Sequence, residues 1–287
     1  MDLFEKCYKP SLADEVREKN IYPYFHALES KQDTEVIMEG KRRIMLGSNN
    51  YLGLTTNPEV IAAGVMAYET LGSGCSGSRF LNGTLKLHLE LEEELAKFLR
   101  KDAAVTFSTG FQTNLGIISA LVGRSDYAVM GGDIADLPEI CRLAEKYGAR
   151  VMVDDAHGLG VLGEGGRGTA SYYGLEDKVD IYMGTFSKSL ASLGGYMAAD
   201  ARVADYVRHT SRPFIFSASI PPANCAAALE ALRQLEAHPE LQTKLQDNAL
   251  YMREKLREKN IKMRPSNGDI VPIIPIYTYE EIPTLTI

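Results

Sequence analysis

Residues 150–158 read RVMVDDAHG, an apolar run that ends in two carboxylates, a small residue and a histidine. Side chains alternate between the two faces of a strand, so we expect Asp154 and Ala156 on one face and Asp155 on the other. Ligands of open α/β sheets bind at the carboxyl ends of the strands. The stretch therefore predicts a strand that brings Asp154 and His157 to a cofactor site, with a capped turn and a surface histidine as the alternative.

A second apolar run, from Ile181 to Phe186, is strand-like and is followed by Ser187, Lys188 and Ser189. Solvated lysines usually lie among other polar residues on helices or loop tips, whereas Lys188 is flanked by small residues at the end of a strand. A lysine in a partly desolvated pocket has a lowered pKa and can act as a nucleophile or a base. Lys188 is therefore a candidate catalytic residue.

A third predicted strand, at residues 103–107, runs through a turn, STGF at 108–111, into a helix. A helix N-terminus presents free N–H groups and the positive end of the helix dipole, which suits a phosphate, although an ordinary capped loop gives the same pattern. Pyridoxal phosphate (PLP) requires a lysine for a Schiff base, an acid against its ring nitrogen and a phosphate site. The three strand ends together therefore predict a PLP pocket.

The remaining segments alternate between helical and strand-like patterns, which favours an α/β fold with a mainly parallel sheet. Pro58 to Leu71 is a predicted helix whose apolar face carries Val60, Ile61, Val65 and Met66. The other predicted helices span residues 13–19, 85–99, 112–122, 137–147, 226–237 and 240–258, and the other predicted strands span 43–46, 195–199, 214–216 and 270–287.

The composition excludes several classes of protein. Hydrophobic residues make up 45% of the 287 residues, so the chain can form a core and is not intrinsically disordered. A net charge of −7 argues against nucleic-acid binding. The four cysteines form no CxxC pair, which argues against a zinc or redox site and favours a reduced, cytoplasmic setting. The charged N-terminus is unlike a signal peptide. No apolar run reaches the roughly 18 residues of a membrane span. The acidic run from Glu90 to Glu94 is expected on a solvated helix face.

Five stretches of the chain together resemble the α-oxoamine synthases, a family of fold-type-I PLP enzymes. They are GSNNYLGL at 47–54, GCSGSRFLNGT at 74–84, STGF at 108–111, DDAHGLG at 154–160 and GTFSKS at 184–189. The resemblance covers most of the chain and implies a large domain with a mainly parallel sheet and a smaller C-terminal α/β domain, incomplete here. We expect an N-terminal segment at 1–40, the large PLP-binding domain at 41–225 and the start of the small domain at 226–287.

The resemblance also assigns cofactor roles to particular residues. It implies that Lys188 holds PLP as a Schiff base and moves protons at the substrate Cα. It implies that Asp154 pairs with the pyridine nitrogen, that His157 hydrogen-bonds the ring hydroxyl and that Ala156 packs on the ring face. The implied phosphate ligands are Gly110, Phe111, Thr185 and Ser187.

The same resemblance implies a reaction. The family condenses an amino acid with an acyl-CoA and releases CO2 and CoA. Within the family, SKQDTEV at 30–36 and the stretch at 184–188 point to L-serine and palmitoyl-CoA, and to 3-ketosphinganine as the product that opens sphingolipid biosynthesis. Asn49, or alternatively Asn50, is implied to hold the amino-acid carboxylate. Two sister reactions, the synthesis of 8-amino-7-oxononanoate and the C-acetylation of glycine, stay open, as does a scaffold without catalysis.

The resemblance further implies a homodimer with shared active sites, in which Ser217 reaches the phosphate of the other subunit. Because the product is a lipid, we also expect a peripheral contact with a membrane.

Two features of the family are absent from the sequence. The family has a histidine that stacks on the PLP ring, in the region between Val122 and Asp133, and a carboxylate-binding arginine in a longer C-terminal domain. The region between Val122 and Asp133 is also too short for the family's sheet strand and its crossover, because even a bare crossover takes on the order of a dozen residues. We therefore expect a longer polypeptide, with segments missing near residues 129–132 and after Ile287.

Overall fold

The computed structural model describes residues 2–123, 136–264 and 268–276. The described residues up to Leu46 form one compact unit and those from Gly47 onwards form a second, whereas the domain limits expected at 40 and 225 remain predictions. In the first unit, Ser11 caps helix α1 (Leu12–Glu18). Strands β1 (Glu35–Met38) and β2 (Lys41–Ile44) form an antiparallel pair, so the strand predicted at 43–46 begins two residues earlier and has a partner that the sequence did not reveal.

The second unit alternates helices with the strands of one sheet. Its helices are α2 (Pro58–Leu71), α3 (Lys86–Phe98), α4 (Gly110–Leu121), α5 (Leu137–Tyr147), α6 (Thr169–Tyr173), α7 (Ala201–Thr210), α8 (Arg212–Ile215), α9 (Pro222–Ala237) and α10 (Glu240–Glu258). Its strands are β3 (Ala103–Phe107), β4 (Met152–Asp154), β5 (Ile181–Thr185) and β6 (Gly195–Ala199). The predicted helices at 58–71, 137–147 and 240–258 and the predicted strands at 103–107 and 195–199 are confirmed at those bounds.

The four strands lie in the order β3-β6-β5-β4. β4 pairs parallel with β5, whereas β6 runs antiparallel to both β5 and β3, so that β3, β4 and β5 point in one direction. Gly195 at the start of β6 pairs with Phe107 on one side and Thr185 on the other. This pairing brings the carboxyl ends of β3 and β5 to the same edge of the sheet, where β4 also ends.

Apolar side chains cover both faces of the sheet, which explains the unbroken apolar runs in β5 and β6. Every residue of these two strands is buried. The first face packs against α3 and α9. The core on this side contains Tyr182, Tyr196, Leu91, Leu95, Leu229 and Leu232. The second face packs against α4, α7 and α8. The core on this side contains Met183, Met197, Ile117, Val207 and Phe214.

Helix α2 buries less of its apolar face than the sequence predicts. It packs against α9, and an added Cβ at Gly64 would lie 3.4 Å from the carbonyl oxygen of Ala223, which is ordinary contact distance. Val60 is buried there, but Ile61 and Met66 are 39% and 63% exposed. The contact with α9 therefore covers only part of the apolar face of α2 in the single chain.

The acidic run in α3 is not entirely solvated. Glu92 is 4% exposed and accepts hydrogen bonds from Arg79 at 2.7 Å, from the N–H of Thr106 at 2.8 Å and from Arg208 at 3.0 Å. The expectation of a solvated face is wrong at this residue, because β3 and two arginines enclose it.

Two predicted strands also differ from the structure. The strand predicted at 214–216 is wrong, because residues 212–215 form α8 and Pro213 in its first turn suits a helix start. Residues 270–276 contain no strand within the described part of the chain, only a bridge between Met263 and Ile276. Residues 277–287 and the expected interruption near 129–132 lie outside the described residues.

Candidate active site

A cavity of about 330 Å³ opens where β4 and β5 end beside the N-terminus of α4. Seven of the predicted cofactor residues line it: Gly110, Phe111, Asp154, Ala156, Thr185, Ser187 and Lys188. Thr109, Asn114, Met183, Leu193 and Gly194 line it as well. The structure therefore brings the three predicted strand ends together in one pocket.

Lys188 is half-buried on a loop that follows β5. The loop closes on itself, because the N–H of Phe186 donates to the carbonyl of Gly194 at 2.9 Å and the N–H of Ser192 donates to the carbonyl of Phe186 at 3.0 Å. Burial lowers the pKa of the Lys188 ammonium group, against a smaller opposing effect of Asp154. A lowered pKa makes the neutral amine, which is the form that attacks a carbonyl carbon, easier to reach.

Asp154 presents its carboxylate to the cavity on the same side as Ala156. One oxygen, Oδ2, accepts from the side-chain amide of Asn114 at 2.7 Å, and the other accepts from the N–H of Ala156 at 3.1 Å. Asp155 is 3% exposed and outside the cavity lining, so the predicted separation of the two carboxylates on opposite faces is confirmed.

His157 follows the same strand and contacts Tyr51. Its Nδ1 lies 2.7 Å from the Tyr51 hydroxyl, which in turn lies 3.4 Å from Oδ1 of Asn49. Partial desolvation by neighbouring protein atoms, and to a smaller extent the charge of Lys188, lower the pKa of the His157 imidazole. Burial raises the pKa of Tyr51 to about 12, so the phenol keeps its proton and is available as a donor.

The N-terminus of α4 also lines the cavity. Thr109 caps the helix by accepting from the N–H of Gln112 at 3.1 Å. A Cβ atom at Gly110 would lie 2.9 Å from Cβ of Thr185, so glycine is needed for this close approach to the sheet. The hydroxyls of Thr185 and Ser187 lie 2.9 Å apart beside it. Free N–H groups, a helix dipole and two hydroxyls are a donor set that fits a phosphate.

The residues present therefore fit PLP, with a lysine, a carboxylate and a phosphate site at separate points of one cavity. The geometry also distinguishes the two asparagine candidates. Asn50 donates to the hydroxyl of Thr55 at 2.6 Å within its own turn. Asn49 instead contacts the hydroxyl of Tyr51, which also contacts His157.

Ser217 lies outside the cavity lining and accepts from the side-chain amide of Gln112 at 3.1 Å. Its predicted contact with a second subunit stays a prediction.

Sequence reasoning missed Asn114 and Tyr51 as site residues. Asn114 lies four residues after Gly110, and this spacing puts both on one face of α4, so the predicted phosphate turn could have pointed to it. Tyr51 lies inside the stretch at 47–54 without any pattern that marks it.

Part of the predicted site lies outside the described residues, including most of the region between Val122 and Asp133 in which the family has its ring-stacking histidine. Within residues 2–123, 136–264 and 268–276, no cluster of histidine, cysteine or acidic side chains is placed to hold a metal ion. Over the same ranges, no helix combines the length and the apolar character that crossing a membrane requires.

The chain belongs to the class I and II aminotransferases, whose family model matches residues 41–130 and 128–280. Its fold is the fold-type-I, PLP-dependent transferase fold, and its cofactor is PLP.

Several relatives within this class are serine palmitoyltransferases. The enzyme of Sphingobacterium spiritivorum is 43% identical, and the match covers 94% of this chain and 81% of the relative. The enzyme of Bacteroides thetaiotaomicron is also 43% identical, covering 96% and 82%. A solved structure of serine palmitoyltransferase with PLP superposes with a TM-score of 0.90 at 31% identity, covering 98% of this chain and 85% of that one. The 8-amino-7-oxononanoate synthase 1 of Bacillus velezensis is 36% identical, covering 91% and 80%.

Proposed function

We propose that the chain is a PLP-dependent acyltransferase that condenses L-serine with palmitoyl-CoA to give 3-ketosphinganine, CoA and CO2. One observation carries the proposal: Lys188, Asp154 and the N-terminus of α4 meet in one cavity, on a chain whose relatives are serine palmitoyltransferases. This reaction is the first step of sphingolipid biosynthesis.

When PLP is bound, its protonated ring accepts the electron pair of a substrate carbanion. Asp154 supports this chemistry, because its carboxylate keeps the ring nitrogen protonated. Asn114 and the N–H of Ala156 hold that carboxylate in place. His157 hydrogen-bonds the ring hydroxyl, and its contact with Tyr51 fixes the orientation of the imidazole.

Lys188 has two tasks in this proposal. Its amine binds the cofactor before substrate arrives and then removes or returns the proton at the substrate Cα. The lowered pKa of its ammonium group suits both tasks, because each requires the neutral amine during part of the cycle. Gly110, Phe111, Thr185 and Ser187 hold the phosphate, and Asn49 holds the substrate carboxylate.

The acyl chain provides the experiment. Burying a chain is worth about 0.8 kcal/mol per CH2 group, so kcat/KM should rise steadily from C8 to C16 acyl-CoA with L-serine as the co-substrate. Glycine and L-alanine serve as matched amino-acid controls. A preference for acetyl-CoA or for pimeloyl-CoA would overturn the proposed substrates and favour glycine C-acetyltransferase or 8-amino-7-oxononanoate synthase, which share the cofactor residues.

The alternative with an observation in its favour is 8-amino-7-oxononanoate synthase, because a relative with that activity is 36% identical. The serine palmitoyltransferases are more similar, at 43%. A scaffold without catalysis is disfavoured, because Lys188, Asp154 and His157 are all present at the site.

The proposed enzyme is a homodimer that works in the cytoplasm and contacts membranes only peripherally. The uncovered residues of α2, Ile61 and Met66 among them, support a contact with a second subunit. Sedimentation of the PLP-loaded protein tests the assembly, and an active monomer at low concentration would contradict it. Flotation with vesicles of neutral lipids, with and without palmitoyl-CoA, tests the membrane contact.

A further inference from the structure

Asp155 is a buried carboxylate that the proposed reaction does not use. It is 3% exposed, follows β4 directly and is not among the residues that line the cavity. Its Oδ2 accepts from the N–H of Thr169 at 2.7 Å and its Oδ1 accepts from the Thr169 hydroxyl at 2.6 Å. Both oxygens are therefore satisfied by one residue at the start of α6, fourteen positions along the chain.

The carboxylate lies directly beneath the turn that carries His157. A Cβ atom at Gly158 would overlap Oδ1 of Asp155, and a Cβ atom at Gly168 would overlap Oδ2. The carbonyl oxygen of Asp155 accepts from the N–H of Gly158 at 2.9 Å and from the N–H of Leu159 at 3.0 Å. Asp155 thus holds both ends of the loop at 158–168 and closes the turn around His157.

The same loop contacts the segment that carries Lys188. The hydroxyl of Ser189, the next residue, donates to the carbonyl of Leu159 at 2.6 Å. A Cβ atom at Gly160 would lie 2.8 Å from Cβ of Ser189, so the two segments pack without space between them. The N–H of Asp155 also donates to the carbonyl of Met183, which lines the cavity, at 2.8 Å.

We propose that Asp155 is a positioning residue: with Thr169 it fixes the turn at 155–160, and so sets the position of His157 and that of Lys188, which lines the cofactor cavity. The inference rests on the proposed cofactor roles of those two residues but not on the identity of the substrates.

The test compares Thr169→Val with Thr169→Ser in the full chain. Valine keeps the shape of threonine but loses the hydroxyl that Asp155 accepts from, whereas serine keeps the hydroxyl. Thr210→Val is the matched control, because the Thr210 hydroxyl bonds only the carbonyl of Tyr206 on an exposed part of α7 among the contacts described. The first measurement is the Kd for PLP by absorbance titration. We expect a rise of about three- to tenfold in Thr169→Val and less than about twofold in the other two variants.

The second measurement is the titration of the His157 ring by NMR, which needs no cofactor and is readable because the chain has five histidines. Loosening the turn should bring the lowered pKa of His157 back towards its ordinary value in Thr169→Val and leave it unchanged in Thr169→Ser. If Thr169→Val lowers Tm but leaves the His157 titration and the Kd as in the wild type, Asp155 is only structural and the proposal is overturned. Neither measurement contains serine or acyl-CoA, so a failure of the proposed substrates would leave this test intact.

Discussion

Replacing Asp155 by asparagine should change how the stability of the chain depends on pH. Burial raises the pKa of Asp155 to about 6 from an ordinary value of 3.8; the hydrogen bonds from Thr169 oppose this shift and the charge of Asp154 adds to it. Tyr182 on β5 and Tyr196 on β6 lie near the group, and burial raises the pKa of each above its ordinary value of 10, so both stay uncharged.

The sign follows from linkage. Between the two pKa values the folded chain holds a proton that the unfolded chain has released, so Asp155 favours folding most at low pH and this contribution is lost as pH rises through 6. One pKa unit corresponds to 1.36 kcal/mol, so the full loss is about 3 kcal/mol, of which about 1.4 kcal/mol falls between pH 5 and pH 7.5. Asparagine does not titrate, and its lost hydrogen bond adds a penalty that is constant with pH.

The assay is urea unfolding of the wild type and Asp155→Asn, followed by circular dichroism at several pH values without added PLP. The quantity to compare is the difference between the two free energies of unfolding, because every other titrating group is common to both proteins and cancels. We expect this difference to fall by about 1.4 kcal/mol from pH 5 to pH 7.5. A difference that is flat, or that grows with pH, would show that Asp155 is not a buried carboxyl with a raised pKa.

Three further predictions concern the site and its support. Lys188→Ala should abolish the absorbance of lysine-bound PLP, and a band that survives dialysis against serine would contradict the assignment. Asn114→Leu should weaken PLP binding about tenfold, since one charge-assisted hydrogen bond to Asp154 is lost, while Asn248→Leu on exposed α10 should leave the Kd unchanged. Glu92→Gln should lower the free energy of unfolding by about 3–5 kcal/mol, because it leaves buried Arg79 without its counter-charge; an effect no larger than that of exposed Glu93→Gln would refute this.

The sequence predicts the strand ends well because each combines an apolar run with an abrupt polar stop. β3 and β6 occur at the predicted bounds, and the cavity contains the predicted Asp154 and Lys188. The opposite faces of Asp154 and Asp155 follow from strand geometry alone, which is independent of what packs on the strand.

Other features depend on tertiary contacts that no local pattern records. Glu92 looks like its solvated neighbours in α3, and only the positions of Arg79 and Thr106 show that it is buried. The segment at 214–216 has strand-like composition, yet Pro213 in its first turn and the packing of Phe214 against α4 favour a helix. Asn114 was missed because a polar residue in the second turn of a helix normally faces solvent.

The strand order has a consequence for how the protein folds. β3 pairs with β6 across about 90 residues of chain, and β6 is the strand that separates β3 from β5. A nascent chain that has been synthesised only as far as Lys188 contains all three cofactor-binding segments. It still lacks β6, the strand that pairs with both β3 and β5. The entropy cost of closing so long a loop must be met before the contacts between β3 and β6 can stabilise the chain. Pairing of this kind is therefore slow. The cofactor cavity is therefore a late product of folding, and a growing chain gains no stability from PLP until β6 has been inserted.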